Sequence, residues 1–311
     1  MWYNIINCVG GVDVTIREAL IICDKFRRNN GNYDEDTFFI YTEALKYLIN
    51  ETMDPEYMFE LGRAYYYEKE YGLALKYYEM TVEYDKNNIG ALGGLGYIWY
   101  YGRTGKVDYK KAFEYYYCAA NAGSDISRYK VADMYRYGYY VEKSFSKFKE
   151  IIESLYNYYH WTNIVNDPLP EICIRLAFVR EQEGMNYEAV SLLLEGKSML
   201  ASRIGYDHFF GNFSIMEEMV NYLYRLKKFD RTNFDLYDLY YLLKEPIKVH
   251  FSYEGKEYIV ESVLEDDGSM SVCFDQKWFH TLTEALMTTQ GDDGHYITLA
   301  AWKMKNFEVL G

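Results

Sequence analysis

Between residues 15 and 245 the apolar positions recur at intervals of three and four, the spacing that gives a helix one sticky face. Thr15 to Phe26 places Ile16, Ala19, Leu20 and Cys23 on one such face, and Asp36 to Ile49 repeats the pattern. Four later segments begin alike, with an apolar residue followed by Gly or Ala: Leu61-Gly62, Leu95-Gly96, Val131-Ala132 and Leu176-Ala177. Their first residues are 34, 36 and 45 positions apart. A second motif follows three of them, at Leu73-Ala74-Leu75-Lys76-Tyr77-Tyr78, Lys111-Ala112-Phe113-Glu114-Tyr115-Tyr116 and Glu188-Ala189-Val190-Ser191-Leu192-Leu193. Each pair predicts a helical hairpin in which the small residue admits the partner backbone and an aromatic fills the space beside it. One hairpin cannot bury both of its faces, so neighbours must stack. Ser214 to Leu226 and Asn233 to Leu243 predict a last pair. Helix breaks fall at Met53-Asp54-Pro55 and Asp167-Pro168-Leu169-Pro170, because a residue before proline resists the helical conformation.

After Pro246 the period changes to two. Ile247, Val249, Phe251 and Tyr253 alternate with Lys248, His250 and Ser252. A turn at Glu254-Gly255-Lys256, a returning strand through Tyr258 to Val263, a turn at Asp266-Asp267-Gly268-Ser269 and a third strand from Met270 to Phe274 predict a β-meander. Trp278-Phe279, a short helix from Thr283 to Thr289, a further one through Ala301, and Phe307-Glu308-Val309-Leu310 follow.

The stretch Leu92-Gly93-Gly94-Leu95-Gly96-Tyr97-Ile98-Trp99-Tyr100-Tyr101-Gly102, with Val107-Asp108-Tyr109-Lys110-Lys111-Ala112-Phe113-Glu114-Tyr115-Tyr116 and Ala119-Ala120-Asn121-Ala122-Gly123, resembles a Sel-one-like repeat. Leu61 to Tyr84 and Leu176 to Leu194 are more similar to the sister tetratricopeptide repeat, since 13 rather than 17 positions separate the first motif from the second alanine. The repeat from Val131 departs further, keeping Gly138 but carrying Lys147 near the place of that alanine. The resemblance covers roughly residues 55–200. It implies a mainly α fold, an α-α superhelical solenoid of stacked hairpins, here with a small C-terminal α+β domain. The organisation read from the chain is a helical pair at 1–54, a repeat array at 55–245 and an α+β unit with a β-meander at 246–311. The last is either an appended domain or a cap on the array's open end.

A net charge of −14 disfavours a phosphate backbone as ligand. Lys25, Arg27 and Arg28, like Arg225, Lys227 and Lys228, sit near predicted helix C-termini, where cations complement the helix dipole. Half the residues are hydrophobic, yet charges interrupt every long apolar run, so neither a membrane span nor a secretory leader is expected. Cys8, Cys23, Cys118, Cys173 and Cys273 are odd in number and scattered, which fits reduced thiols and a cytoplasmic location.

Candidate chemistry is sparse. His160, His208, His250, His280 and His295 show no metal-ligand spacing, and no nucleophile elbow or phosphate-binding loop occurs. Asp292 and Asp293 lack the rest of a calcium loop, and Asp266 and Asp267 read as a solvated turn. The chain is therefore expected to be non-catalytic, without cofactor or metal. The 37 tyrosines are the compositional outlier. In repeats of the family resembled, the first helix of each hairpin lines a concave surface. That selects Arg63, Tyr66 and Tyr67, then Tyr97, Tyr100 and Tyr101, then Asp133, Arg136 and Tyr137 as a partner-binding row rich in interface-type residues. The leading expectation is a scaffold that binds a protein or peptide segment there, with homodimerisation open and no nucleic acid or membrane as partner. The alternative is an array that mounts a C-terminal effector, with His250, Asp275, His280 and His295 as its only possible polar cluster.

Overall fold

The computed structural model describes residues 15–28, 34–162, 168–207, 209–290, 296–298, 301 and 304–310. Cys8, His208, Asp292, Asp293 and His295 lie outside these residues, as does Asp167 of the second break. The chain divides into two compact units, Met1–Ile151 and Ile152–Gly311.

Seven helices and the start of an eighth build the first unit: α1 (Ile16–Arg28), α2 (Glu35–Thr52), α3 (Pro55–Tyr67), α4 (Tyr71–Tyr84), α5 (Ile89–Tyr101), α6 (Tyr109–Asn121), α7 (Asp125–Tyr137) and α8 (Phe145–Thr162). From α1 to α7 each helix packs on the next, and α3 also touches α5. The starts are set by side chains that satisfy otherwise unpaired amide groups. Asp34 accepts from the Thr37 amide at 2.8 Å, Asp54 from Glu56 at 2.9 Å, Asn88 from Ala91 at 2.9 Å, Asp108 from Lys111 at 3.0 Å and Ser124 from Ser127 at 3.1 Å. The break at Met53-Asp54-Pro55 is such a start, with Met53 left-handed at φ 52° and Pro55 in the first turn of α3. At the ends of α5 and α7, Gly102 and Gly138 take the left-handed conformation that closes a helix.

The hairpin packing follows the small-residue logic. A Cβ on Gly62 would meet Tyr78 of α4 at 2.8 Å, and one on Gly96 would meet Tyr116 of α6 at 2.4 Å. Tyr78 and Tyr116 are buried, as are Leu61, Leu95, Ala74 and Ala112. Each glycine is thus the socket for the aromatic of its own hairpin's second motif.

The second unit holds the rest of α8, then α9 (Leu169–Gln182), α10 (Asn186–Ile204) and α11 (Phe210–Leu226). The helix expected from Asn233 to Leu243 is instead a 3-10 turn, Leu236–Asp238, followed by α12 (Leu239–Leu242), a single turn. Asp235 and Asp238 close a reciprocal capping box there, and both carboxylates bind the buried Lys197 ammonium of α10. That pins the chain where the apolar spacing alone suggested a longer helix.

The sheet has the order β4-β3-β2-β1-β5, from β1 (Lys248–Tyr253), β2 (Lys256–Leu264), β3 (Met270–Phe274), β4 (Lys277–Phe279) and β5 (Lys305–Leu310), with α13 (Leu282–Thr288) between the last two. All neighbouring strands are antiparallel; β1 to β3 run as the predicted meander, β4 adds a fourth strand beside β3, and β5 returns to the free side of β1. Val249, Phe251, Val260, Val272 and Phe274 form the inner face and share one core with Leu200, Ile204, Phe213, Met216 and Val220 of α10 and α11. The strands and these helices are therefore sealed by a common set of side chains.

Candidate functional site

The nine residues selected from sequence fall on equivalent positions of α3, α5 and α7, each a helix of 13 residues ending in tyrosine. Tyr67, Tyr101 and Tyr137, the three final residues, are 56%, 44% and 48% exposed. Arg63 is also exposed, while Tyr66, Tyr97, Tyr100 and Arg136 are half-buried. Asp133 is buried at 5% exposure. Eight of the nine thus reach solvent to a substantial degree.

Ring contacts join much of this row. Tyr97 stacks on Tyr101 with centroids 5.8 Å apart, and Tyr100 meets Tyr101 edge-on at 4.9 Å. Tyr100 also reaches Tyr109 and Tyr139, which stack on one another at 4.2 Å, and Tyr139 continues to Tyr137 at 5.3 Å. Such pairs favour offset or edge-on geometry because the ring faces are electron-rich and the edges electron-poor.

Two cations that the sequence reading passed over tie the hairpins together. Lys130 of α7 donates to the Tyr101 hydroxyl at 2.9 Å, and its Nζ lies 5.1 Å from the Tyr97 ring centroid, 5.6 Å from that of Tyr100 and 5.2 Å from that of Tyr101. Arg103, just past α5, lies 5.2 Å from the Tyr101 ring and 5.4 Å from the Tyr71 ring. The positive charge of its guanidinium also acts on Tyr66 of α3. Tyr101 is therefore held between a lysine from the following hairpin and an arginine that reaches back to the preceding one. Cation–π contacts strengthen when water is partly excluded. Lys130 lies three positions before Asp133 on the same helix, so a search for a polar line at that spacing would have found it.

Burial pushes the Tyr66, Tyr100 and Tyr116 phenols above the usual range; the nearby Asp133 carboxylate adds to the effect at Tyr100, while Arg103 opposes it at Tyr66. The row thus combines phenols, the cations that touch their rings and one buried acid, Asp133. Arg63 and Arg136 complete the positive set, lying 5.8 Å from Phe59 and 5.1 Å from Tyr137.

In the second unit, His250 bonds Glu257 at 2.7 Å across β1 and β2, Asp275 faces Lys256 at 3.5 Å, and the His280 amide bonds Glu284. The His250 and Asp275 side chains thus each have a local partner, and the bond of His280 is made by its backbone. Among the described residues no group of three or more His, Cys, Asp or Glu is placed to hold a metal, and no helix is long and apolar enough to cross a membrane. The Cys173 thiol is buried in α9, which raises its pKa, and the Cys23 thiol of α1 is pushed up to about 12.

No protein-family model matches the sequence, and no curated protein matches it. Among solved structures the chain is similar to a Sel-one repeat protein from Oxalobacter formigenes at 19% identity and a TM-score of 0.46, covering 70% of this chain and 83% of that one. A tetratricopeptide protein of Thermus thermophilus is 13% identical with a TM-score of 0.40, covering 60% of this chain and 91% of that one. A protective antigen of uropathogenic Escherichia coli with a Sel-one-like repeat fold is 14% identical with a TM-score of 0.44, covering 69% of this chain and 50% of that one. By its own hairpin spacing, its glycine–tyrosine sockets and its packed helix pairs, the chain is a protein of repeated helical hairpins that ends in a small antiparallel sheet.

Proposed function

We propose that the chain is a non-catalytic scaffold that binds a protein or peptide segment along the row formed by α3, α5 and α7. The observation that carries this reading is the accessible tyrosine at the same position of three successive hairpins, Tyr67, Tyr101 and Tyr137. Tyrosine offers a large, rigid contact area at little entropic cost, and an aromatic surface of this extent calls for a partner. Arg63, Tyr66, Tyr97, Tyr100 and Arg136 widen the contact, while the buried Asp133 acts on Tyr100 only through its charge. On this reading residues 55–245 are the binding array, 1–54 an additional helical pair and 246–311 a closing element.

The test is affinity capture from native lysate with the wild type and a Tyr97→Ala, Tyr100→Ala, Arg136→Ala variant whose helicity matches it. Partners lost from the variant and recovered by direct binding with purified components support the row. Identical sets of partners from both proteins refute it.

A further inference from the structure

The row differs in charge from the molecule that carries it. Across a chain of net charge −14, α5, α7 and the turn after α5 bring Arg103, Lys130 and Arg136 to one set of contacting rings, while Arg63 of α3 lies over Phe59 and 3.9 Å from the buried Glu60. The acid among the nine selected residues is Asp133, which is buried.

Hydrogen-bond direction sharpens the contrast. A phenol has one proton, and ammonium and guanidinium groups offer no acceptor for it. The Tyr101 hydroxyl accepts from Lys130, so its own proton must point elsewhere, and this side chain is 44% exposed. The half-buried Tyr66 phenol lies close enough to the Arg103 guanidinium to feel its charge. The exposed Tyr101 phenol, the Tyr66 phenol and the half-buried Arg103 guanidinium that lies over Tyr101 thus set donors and positive charge side by side. A ligand suited to such a patch brings acceptors and negative charge, and the flat guanidinium matches a carboxylate.

We propose that the partner engages this row through an acidic stretch, seating Asp or Glu side-chain carboxylates against Tyr66, Tyr101 and Arg103. The proposal deepens the scaffold reading and rests on it. Because the molecule as a whole repels anions, acidic segments would be retained only where the field is locally reversed.

Selection from a displayed library of random peptides with blocked C-termini tests the proposal, with the full chain as bait. Counter-selection against the Tyr97→Ala, Tyr100→Ala, Arg136→Ala variant keeps only clones that need the row. Enrichment of Asp and Glu in those clones is expected, with at least about tenfold weaker binding when the acids become Asn and Gln, the size of a charge-assisted hydrogen bond. A Tyr66→Phe, Tyr101→Phe variant keeps both rings and removes both donors, so the acid-to-amide preference should shrink by about tenfold with helicity unchanged. Neutral or basic clones that still need the row would overturn the acidic partner while leaving the scaffold reading in place. An unchanged preference in the double phenylalanine variant would overturn the proposed seating. The absence of any row-dependent clone would remove both, and tighter binding of a single-stranded oligonucleotide by the same residues would replace the acidic peptide with a nucleic acid.

Discussion

Gly96 and Tyr116 show how finely a hairpin is fitted. A methyl group on Gly96 would lie 2.4 Å from the Tyr116 ring, and that ring is fully buried, with Tyr97 against it at 5.8 Å. The ring has nowhere to retreat. Gly96→Ala is therefore expected to destabilise the first unit by about 1–3 kcal/mol, the usual cost of overpacking, read as a lower midpoint in urea. The opposite sign is expected at Tyr116 itself. Its hydroxyl is buried with no hydrogen-bond partner among the described residues, so Tyr116→Phe removes a desolvated polar group at almost no change in shape. A gain of about 1 kcal/mol in the same measurement is expected, and a loss would mean that the hydroxyl is bonded after all. The sequence made the socket legible, since the glycine and the aromatic belong to motifs repeated at a fixed distance. It could not show that the hydroxyl lacks a partner, because that depends on every side chain around it.

Between helices, Lys130 does what no single hairpin could do for itself. It is 7% exposed, and its ammonium group is surrounded by rings from α5 as well as by Tyr129 from its own helix. Lys130→Met keeps the stem that fills the space and removes the charge. We expect a loss on the order of 2 kcal/mol, the scale of a desolvated cation–π contact, with Tyr101 released from its fixed position. The measurement is urea unfolding together with the near-ultraviolet dichroism of the tyrosines; an unchanged spectrum would show that the lysine holds nothing in place. This element-level contact was hidden in the sequence because its partners are 29 residues apart and meet only when α5 and α7 are both in place. The helix starts, by contrast, were open to reading, since Asp54, Asn88, Asp108 and Ser124 each cap from a few residues away. The helix predicted from Asn233 to Leu243 shows the limit of periodic spacing: the pairing of Lys197 with Asp235 and Asp238 held the chain in a 3-10 turn.

Across the whole molecule the buried tyrosines set a limit on alkaline stability. Tyr41, Tyr78, Tyr100, Tyr116, Tyr224, Tyr237 and Tyr240 all have phenols raised above their usual range, chiefly by burial. Above about pH 10 the unfolded chain gives up these protons while the folded chain keeps them, so the unfolded state binds fewer protons and stability falls as pH rises. Cooperative loss of helicity is expected above that pH, with the late part of the tyrosinate absorbance appearing together with unfolding rather than before it. A titration in which all 37 tyrosines ionised while the helices remained intact would show that these rings are reachable by solvent.

The periodicities of three-and-four and of two, and the recurrence of small residues near every 35 positions, were sufficient to specify stacked hairpins followed by strands, because local geometry and the need to bury one face act within a few turns of chain. The tyrosine row followed from the resemblance to helical repeats, and how far each of its rings reaches solvent was decided by the packing. Which cations would reach those tyrosines, which acid would be covered, and that the strands and α10 and α11 would share one core were settled by contacts between elements. Such contacts depend on the angle and depth at which whole helices meet, and a pattern read along a single helix does not contain them.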